Sequence, residues 1–228
     1  MSRSSFDEQW EENVYCQGQQ LNRWPSEFVV TGAYRYLAGL GASDRELLAL
    51  DLGCGAGNNS VFLAKCGFKV LGVDGSETAL KSARTLADQE GCEIKFVRGD
   101  FLNDEIWNDQ EYDLVIDRAA LTHNTRSVIK RTVAKVAQAL RPGGWFVSEL
   151  FSRDHSDVQF GLDGDDGSYK SFSGGYFQNM SRTFFADRSD IDEIFSEHFD
   201  LAALYHQTLE EERSESKAAV WKVIGVVR

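Results

Sequence analysis

The residues of this 228-residue chain most able to do chemistry sit where apolar runs end. Leu47-Leu-Ala-Leu leads into Asp51-x-Gly53-x-Gly55-x-Gly57-Asn58, with Cys54 between the first two glycines. Three glycines at every second position remove the β-carbon where a chain must reverse and where a ligand must come close to the backbone. Phe68-Lys-Val-Leu-Gly-Val ends in Asp74-Gly75, with Asp74 standing 21 residues after Gly53. A carboxylate at that place can accept hydrogen bonds from both hydroxyls of a ribose. Glu93-Ile-Lys-Phe-Val-Arg-Gly ends in Asp100-Phe101, and Tyr112-Asp-Leu-Val-Ile ends in Asp117-Arg118. Two histidines follow such ends: His123, six residues beyond Asp117, and His155, with Asp157 two residues on. Histidine's ordinary pKa of about 6.5 suits either to take a proton at neutral pH. A hydrogen-bonded structural role is the other reading of each.

A dinucleotide-binding loop has the spacing G-x-G-x-x-G, in which the third glycine lets the next helix pack on the strand. Here that third slot holds Asn58, and glycine comes one residue early, at Gly57. The loop as it stands resembles motif I of the class I S-adenosylmethionine (SAM) methyltransferases. Asp74-Gly-Ser-Glu-Thr-Ala-Leu-Lys-Ser-Ala-Arg84 resembles that family's segment after motif II, and Leu140-Arg-Pro-Gly-Gly144 its turn into the fifth strand. Gly57-Asn-Asn-Ser-Val-Phe-Leu-Ala64 is similar to the glycine loop of the tellurite-resistance methyltransferases, and Asp117-Arg-Ala-Ala-Leu121 to the thiopurine-type enzymes at the same place. The resemblance implies SAM as cofactor, held by Asp51, Gly53, Cys54, Gly55, Gly57, Asn58, Asp74 and Gly75. It further implies that Asp100 and Phe101 meet the adenine. Asp117 and Arg118 would attend the methionine end or the acceptor, or would tie to each other in a structural ion pair.

The elements that must position these residues read as an α/β fold. The apolar runs at 47–52, 68–74 and 112–117 have the continuity of strands buried on both faces of a parallel sheet. Helical patterns follow them, with Ser76 as N-cap of one and Ile129, Val133, Val136, Ala137 and Leu140 as the stripe of another. Two strands, 199–209 and 218–227, close the chain around a polar turn. The resemblance implies a Rossmann-like sheet of seven strands in the order 3-2-1-4-5-7-6, the last antiparallel, with helices on both faces in one domain, 1–228. Residues 1–40 read as helices, with Phe6, Trp10 and Val14 on one face, and Tyr15 and Trp24 as candidates for a lid over the cofactor. Residues 152–186, rich in glycine and aromatics, lack either periodicity and read as a long loop covering the acceptor site. Within it, Asp163-Gly-Asp-Asp-Gly167 fails as a calcium loop: an EF-hand needs glycine and glutamate where Ser168 and Gly174 stand.

Composition narrows the partners. A net charge of −12 argues against a nucleic-acid substrate, and Lys130 with Arg131 is explained by a solvated helix face. No apolar run is long enough to cross a membrane or to serve as a signal core, so a cytoplasmic protein is expected. Four scattered cysteines without C-x-x-C spacing suggest reduced thiols and no zinc site. The expectation is a SAM-dependent methyltransferase acting on a small-molecule acceptor, as monomer or homodimer, without a metal. O-methylation of a sugar or other small metabolite leads. S- or chalcogen methylation, and a SAM-binding protein without transfer activity, are the alternatives. Asp117, His123 and His155 are the candidate catalytic residues.

Overall fold

The computed structural model describes residues 6–41, 45–107, 111–164, 167–178, 180–213 and 216–228. Asp165 and Asp166 of the rejected calcium loop, and residues 1–5 of the N-terminal segment, lie outside them.

Strands β1 (Leu47–Leu52), β2 (Phe68–Asp74), β3 (Lys95–Arg98), β4 (Tyr112–Arg118) and β5 (Leu140–Phe151) run parallel. Three short strands, β6 (Leu162–Asp163), β7 (Tyr169–Lys170) and β8 (Arg182–Thr183), form a separate antiparallel sheet. Strands β9 (Phe199–Glu211) and β10 (Ser216–Val227) complete the large one in the order β3-β2-β1-β4-β5-β10-β9, with β10 antiparallel to both neighbours. Counting only the strands of this sheet, the order is the expected one.

Each central strand alternates its side chains between two apolar layers, which is why it reads as an unbroken run. Ala49, Leu114, Ile116 and Val147 pack under α1 (Glu27–Gly39) and α2 (Asn58–Lys65) through Phe28, Val29, Ala33, Tyr36 and Leu63. Leu50, Leu52, Val115 and Phe146 face the opposite layer, with Ile129, Val133 and Val136 of α4 (Arg126–Ala139) and Ile191, Ile194 and Phe195 of α5 (Arg188–Phe195). Helix α3 (Glu77–Gln89) starts at Ser76, whose hydroxyl accepts from the Ala79 N–H at 2.9 Å. Because β1, β2, β4 and β5 are parallel, Asp51, Asp74, Asp117 and Glu149 all arrive at one edge of the sheet.

Two expectations need correction. Residues 152–186 are not a structureless loop. The segment carries the β6–β8 sheet and a 3₁₀ turn, Ser156–Phe160, around an apolar cluster of Phe172, Phe177, Met180 and Phe185. Its two ends meet at a Ser152–Ala186 bridge. The apolar face Phe6, Trp10 and Val14 does not continue a regular α-helix either. Residues Trp10–Tyr15 form a single π-helical turn, closed by the Cys16 N–H on the Glu11 carbonyl at 2.9 Å, and Val14 packs into the aromatic cluster of 152–186.

Candidate cofactor and acceptor site

The glycine loop is folded against both neighbouring strand ends. The N–H groups of Gly53 and Cys54 both donate to the Val73 carbonyl, at 2.8 and 3.0 Å, which pulls the loop onto β2. Gly53 has φ +67°, and a β-carbon there would lie 2.2 Å from that of Ala120 in the turn after β4. Gly57 has φ +81°, and its β-carbon would lie 2.8 Å from Ala83 of α3, so this glycine serves close packing and does not line a cavity.

Two adjoining cavities open at this edge. Asp74, Gly75, Asp100 and Phe101 line the first, with Phe6 and Asp7 of the N-terminal segment across from them. Gly53, Cys54, Gly55 and Asn58 line the second, opposite Phe151 and Tyr176. Trp10, Tyr15, Gly53, Arg118, Ala119 and His123 belong to both, so the cavities join at this ring of residues. Trp24 also lines the second cavity but is 81% exposed.

The carboxylates are charged with difficulty. The Asp74 oxygens accept from the N–H of Gly55 at 2.9 Å and of Ser76 at 2.8 Å, yet burial pushes its pKa up to about 6. Asp51 is sealed beneath the loop, where burial and the nearby Asp74 and Asp117 raise it to about 7. Its Oδ2 accepts from the Ser60 hydroxyl at 2.6 Å, whereas its Oδ1 is buried with no hydrogen-bond partner among the described residues. A buried unpaired carboxylate oxygen is costly and favours a cationic ligand nearby. The site thus offers acceptors and unmet negative charge on one side and bare backbone on the other. That set fits SAM, which brings an ammonium, a sulfonium, a ribose diol and an adenine amine.

Asp117 stands elsewhere than the sequence suggested. Its Oδ1 accepts from the N–H of Ala120 and Leu121, at 2.9 and 3.0 Å, and its Oδ2 from the Ser148 hydroxyl at 2.8 Å. It lines neither cavity, and it does not pair with Arg118. Strand alternation turns the Arg118 side chain to the other face, where its Nε lies 3.8 Å from Glu149. Asp117 therefore anchors the turn that carries Arg118, Ala119 and His123 into the cleft.

The two histidines separate clearly. His123 lines both cavities, while its Nδ1 faces the Arg182 carbonyl and the Thr183 hydroxyl, each at 3.3 Å. A carbonyl only accepts, so Nδ1 carries the proton and Nε2 is left as the ring's acceptor. Burial lowers its pKa to about 4, which keeps the ring neutral at physiological pH. His155 lines neither cavity, a correction to its candidacy. Its ring packs among Phe151, Phe177 and Phe185, and its Nδ1 accepts from the Asp157 N–H at 3.1 Å. Sequence reasoning passed over Trp10, whose ring meets that of His123 edge-on at 4.8 Å. Its apolar character signalled packing, and nothing local distinguishes packing on a sheet from packing over a cleft.

Residues 49–144 match a family model described as a methyltransferase domain. The ubiquinone biosynthesis O-methyltransferase of Rickettsia prowazekii is 27% identical over 117 residues, 51% of this chain and 45% of that protein. An uncharacterized methyltransferase of Synechocystis is 35% identical over 97 residues, 42% of this chain and 43% of that one. The chain thus spans less than half the length of these relatives. The crystal structure of magnesium protoporphyrin IX methyltransferase from Synechocystis PCC 6803 with bound SAM superposes with a TM-score of 0.65 at 15% identity, covering 100% of each chain. No helix among the described residues is long and apolar enough to cross a membrane. Residues 49–144 thus form a methyltransferase domain, on a fold shared with a solved methyltransferase that binds SAM.

Proposed function

We propose that the protein methylates a hydroxyl of a small-molecule acceptor, with His123 as the proton acceptor. The observation that carries this is the His123 ring, which lines both cavities with Nδ1 held by the Arg182 carbonyl and with no hydrogen-bond partner for Nε2 among the described residues. SAM supplies an activated methyl on a sulfonium. The chain's own task is to align the acceptor, exclude water and accept a proton. Asp74 and Gly75 would hold the ribose, Asp100 and Phe101 the adenine, and Asp51 the positive charge of the methionine end from beneath the loop. A neutral hydroxyl is a poor nucleophile until its proton leaves, and a histidine near pH 7 must be neutral to receive it. The net charge of −12 supports a small acceptor over a nucleic acid.

The test is acceptor-dependent formation of S-adenosylhomocysteine from SAM across hydroxyl, thiol and tellurite acceptors. His123→Gln should lower kcat/KM for the hydroxyl acceptor roughly 10²–10⁴-fold and flatten the acidic limb of its pH profile, with SAM affinity unchanged. Equal rates in wild type and variant, or turnover of thiol and tellurite only, would replace this reading with S- or chalcogen methylation.

A further inference from the structure

Charge is divided unevenly between the two cavities. The first cavity has three carboxylates on its wall: Asp7, Asp74 and Asp100. In the second, Arg118 is the one ionised side chain among the described lining residues, the His123 ring being neutral. In a chain of net charge −12, one guanidinium at the junction of the two cavities is a specific feature.

Arg118 is placed to meet a ligand. Its side chain is 51% exposed, whereas that of its ion-pair partner Glu149 is 6% exposed. The closest approach to Glu149 is from Nε, at 3.8 Å, too long for a hydrogen bond, and no hydrogen bond from either Nη is found among the described residues. Glu149 is itself engaged by the Ser26 hydroxyl at 3.2 Å. The outer edge of the guanidinium is therefore available for a two-pronged contact with a carboxylate, the geometry arginine favours. Its charge reaches both His123 and Tyr176, which puts it beside the base and one cavity wall.

The walls around it are rings. Trp10, Tyr15, Trp24, Phe151 and Tyr176 all line the second cavity with Arg118 and His123. Aromatic walls hold a flat ligand by stacking and edge contacts, while a few polar groups fix its orientation. The carboxylate of the cofactor's methionine end has another seat: α2 begins at Gly57 with no side-chain cap, directly on the glycine loop.

Resting on the proposed O-methylation, we propose that the acceptor is an aromatic hydroxy acid whose carboxylate is held by Arg118 and whose hydroxyl faces Nε2 of His123. The hydroxyl oxygen forms its bond to the methyl as the sulfur–methyl bond breaks. The sulfonium becomes a neutral thioether, and the hydroxyl proton passes to Nε2 and then to water. A phenolic proton is the kind a weakly basic, buried histidine can take; that of an aliphatic alcohol is far more tightly held.

The probes are 3,4-dihydroxybenzoate and its methyl ester, offered to the full chain with SAM and, for binding, to the chain loaded with S-adenosylhomocysteine. Wild type should prefer the acid at least tenfold in kcat/KM. Arg118→Met should erase that preference through KM, with SAM affinity changed less than twofold, and Arg118→Lys should retain part of it. Since Arg118→Met leaves Glu149 without its cation, the double variant Arg118→Met/Glu149→Gln should behave as the single one. If neither probe is methylated, binding still decides. Tighter, Arg118-dependent binding of the acid to the loaded protein would keep the inference while O-methylation fails, and no such preference overturns it. A tenfold loss of SAM affinity in Arg118→Met, with an unchanged acid-to-ester ratio, would assign Arg118 to the cofactor instead and overturn it as well.

Discussion

The floor and the roof of the cleft are built differently. The floor is the glycine loop, Asp74 and the turn after β4, held by backbone groups of adjacent parallel strands such as the Gly53 and Cys54 N–H groups on Val73. The roof is the N-terminal strap from Phe6 onward and residues 152–186; backbone bonds such as the Phe184 N–H on the Thr122 carbonyl, at 2.6 Å, seat the second, but the strap is joined to it and to α3 by side chains distant in the chain. Asp7 accepts from the Ser181 N–H at 3.1 Å across 174 positions, and Gln20 bonds the Tyr176 hydroxyl across 156. Glu11 ties the same strap to the start of α3 through the hydroxyls of Ser76 and Thr78. Backbone pairing in a sheet is lost only when the sheet opens, whereas a few side-chain hydrogen bonds can break one at a time. We infer that the floor is the rigid template and that the roof, its N-terminal strap above all, is the part that moves for ligand entry.

The strongest way to break this contrast is to strain the floor. Gly53→Val puts a β-branched residue at φ +67° against Ala120. Backbone strain and overpacking together should cost about 2–6 kcal/mol, read as a lower urea midpoint, along with lost SAM binding. A variant of wild-type stability that still binds SAM would show that the loop is no template.

A smaller effect comes from the buried acids. Asp51 and Asp74 have folded pKa values of about 7 and about 6, above the ordinary carboxylate range. Between that range and these values the folded protein holds protons that the unfolded chain releases, so their contribution to stability is lost as pH rises through the window. His123, lowered to about 4, acts oppositely: its contribution is complete above its ordinary value and is lost as pH falls toward 4. A cationic ligand favours ionised carboxylates. SAM affinity should therefore rise with pH by up to about tenfold per unit for each proton displaced, over roughly pH 5 to 7. Calorimetry in buffers of different ionisation enthalpy should show proton release. An affinity independent of pH in that range would place the ligand's charge away from Asp51 and Asp74.

The smallest effect on stability concerns the roof. Glu11→Gln weakens the latch on Ser76 and Thr78 and should change global stability by no more than about 1 kcal/mol. It should, however, speed release of S-adenosylhomocysteine and raise amide exchange in residues 6–15. In wild type those residues and 152–186 should gain protection when the product binds. Equal protection with and without ligand would make the roof ordinary fixed structure.

How much was legible in the chain follows the same division. The buried strands, the turn at Gly53 and the place of Asp74 at a strand end could be read because they depend on short-range rules, whereas the order of the large sheet was implied by the resemblance of the glycine loop and the Arg-Pro-Gly-Gly turn to a known family. Apolar runs make buried strands, glycines make tight turns, and the ends of parallel strands lie at the crevice edge of the sheet. Asp117 and Arg118 mark the limit of those rules: adjacent in sequence, they point to opposite faces, and only the packing shows which one lines the cavities. His155 and Trp10 lie beyond it. Whether an aromatic side chain is buried in a cluster or lines a cleft depends on which distant segment closes over it, here 152–186 over Phe151 and Val14. Local sequence thus determined the floor, where the backbone itself makes the site. The tertiary structure alone decided the roof, where contacts between segments more than a hundred residues apart choose which side chains line the cleft.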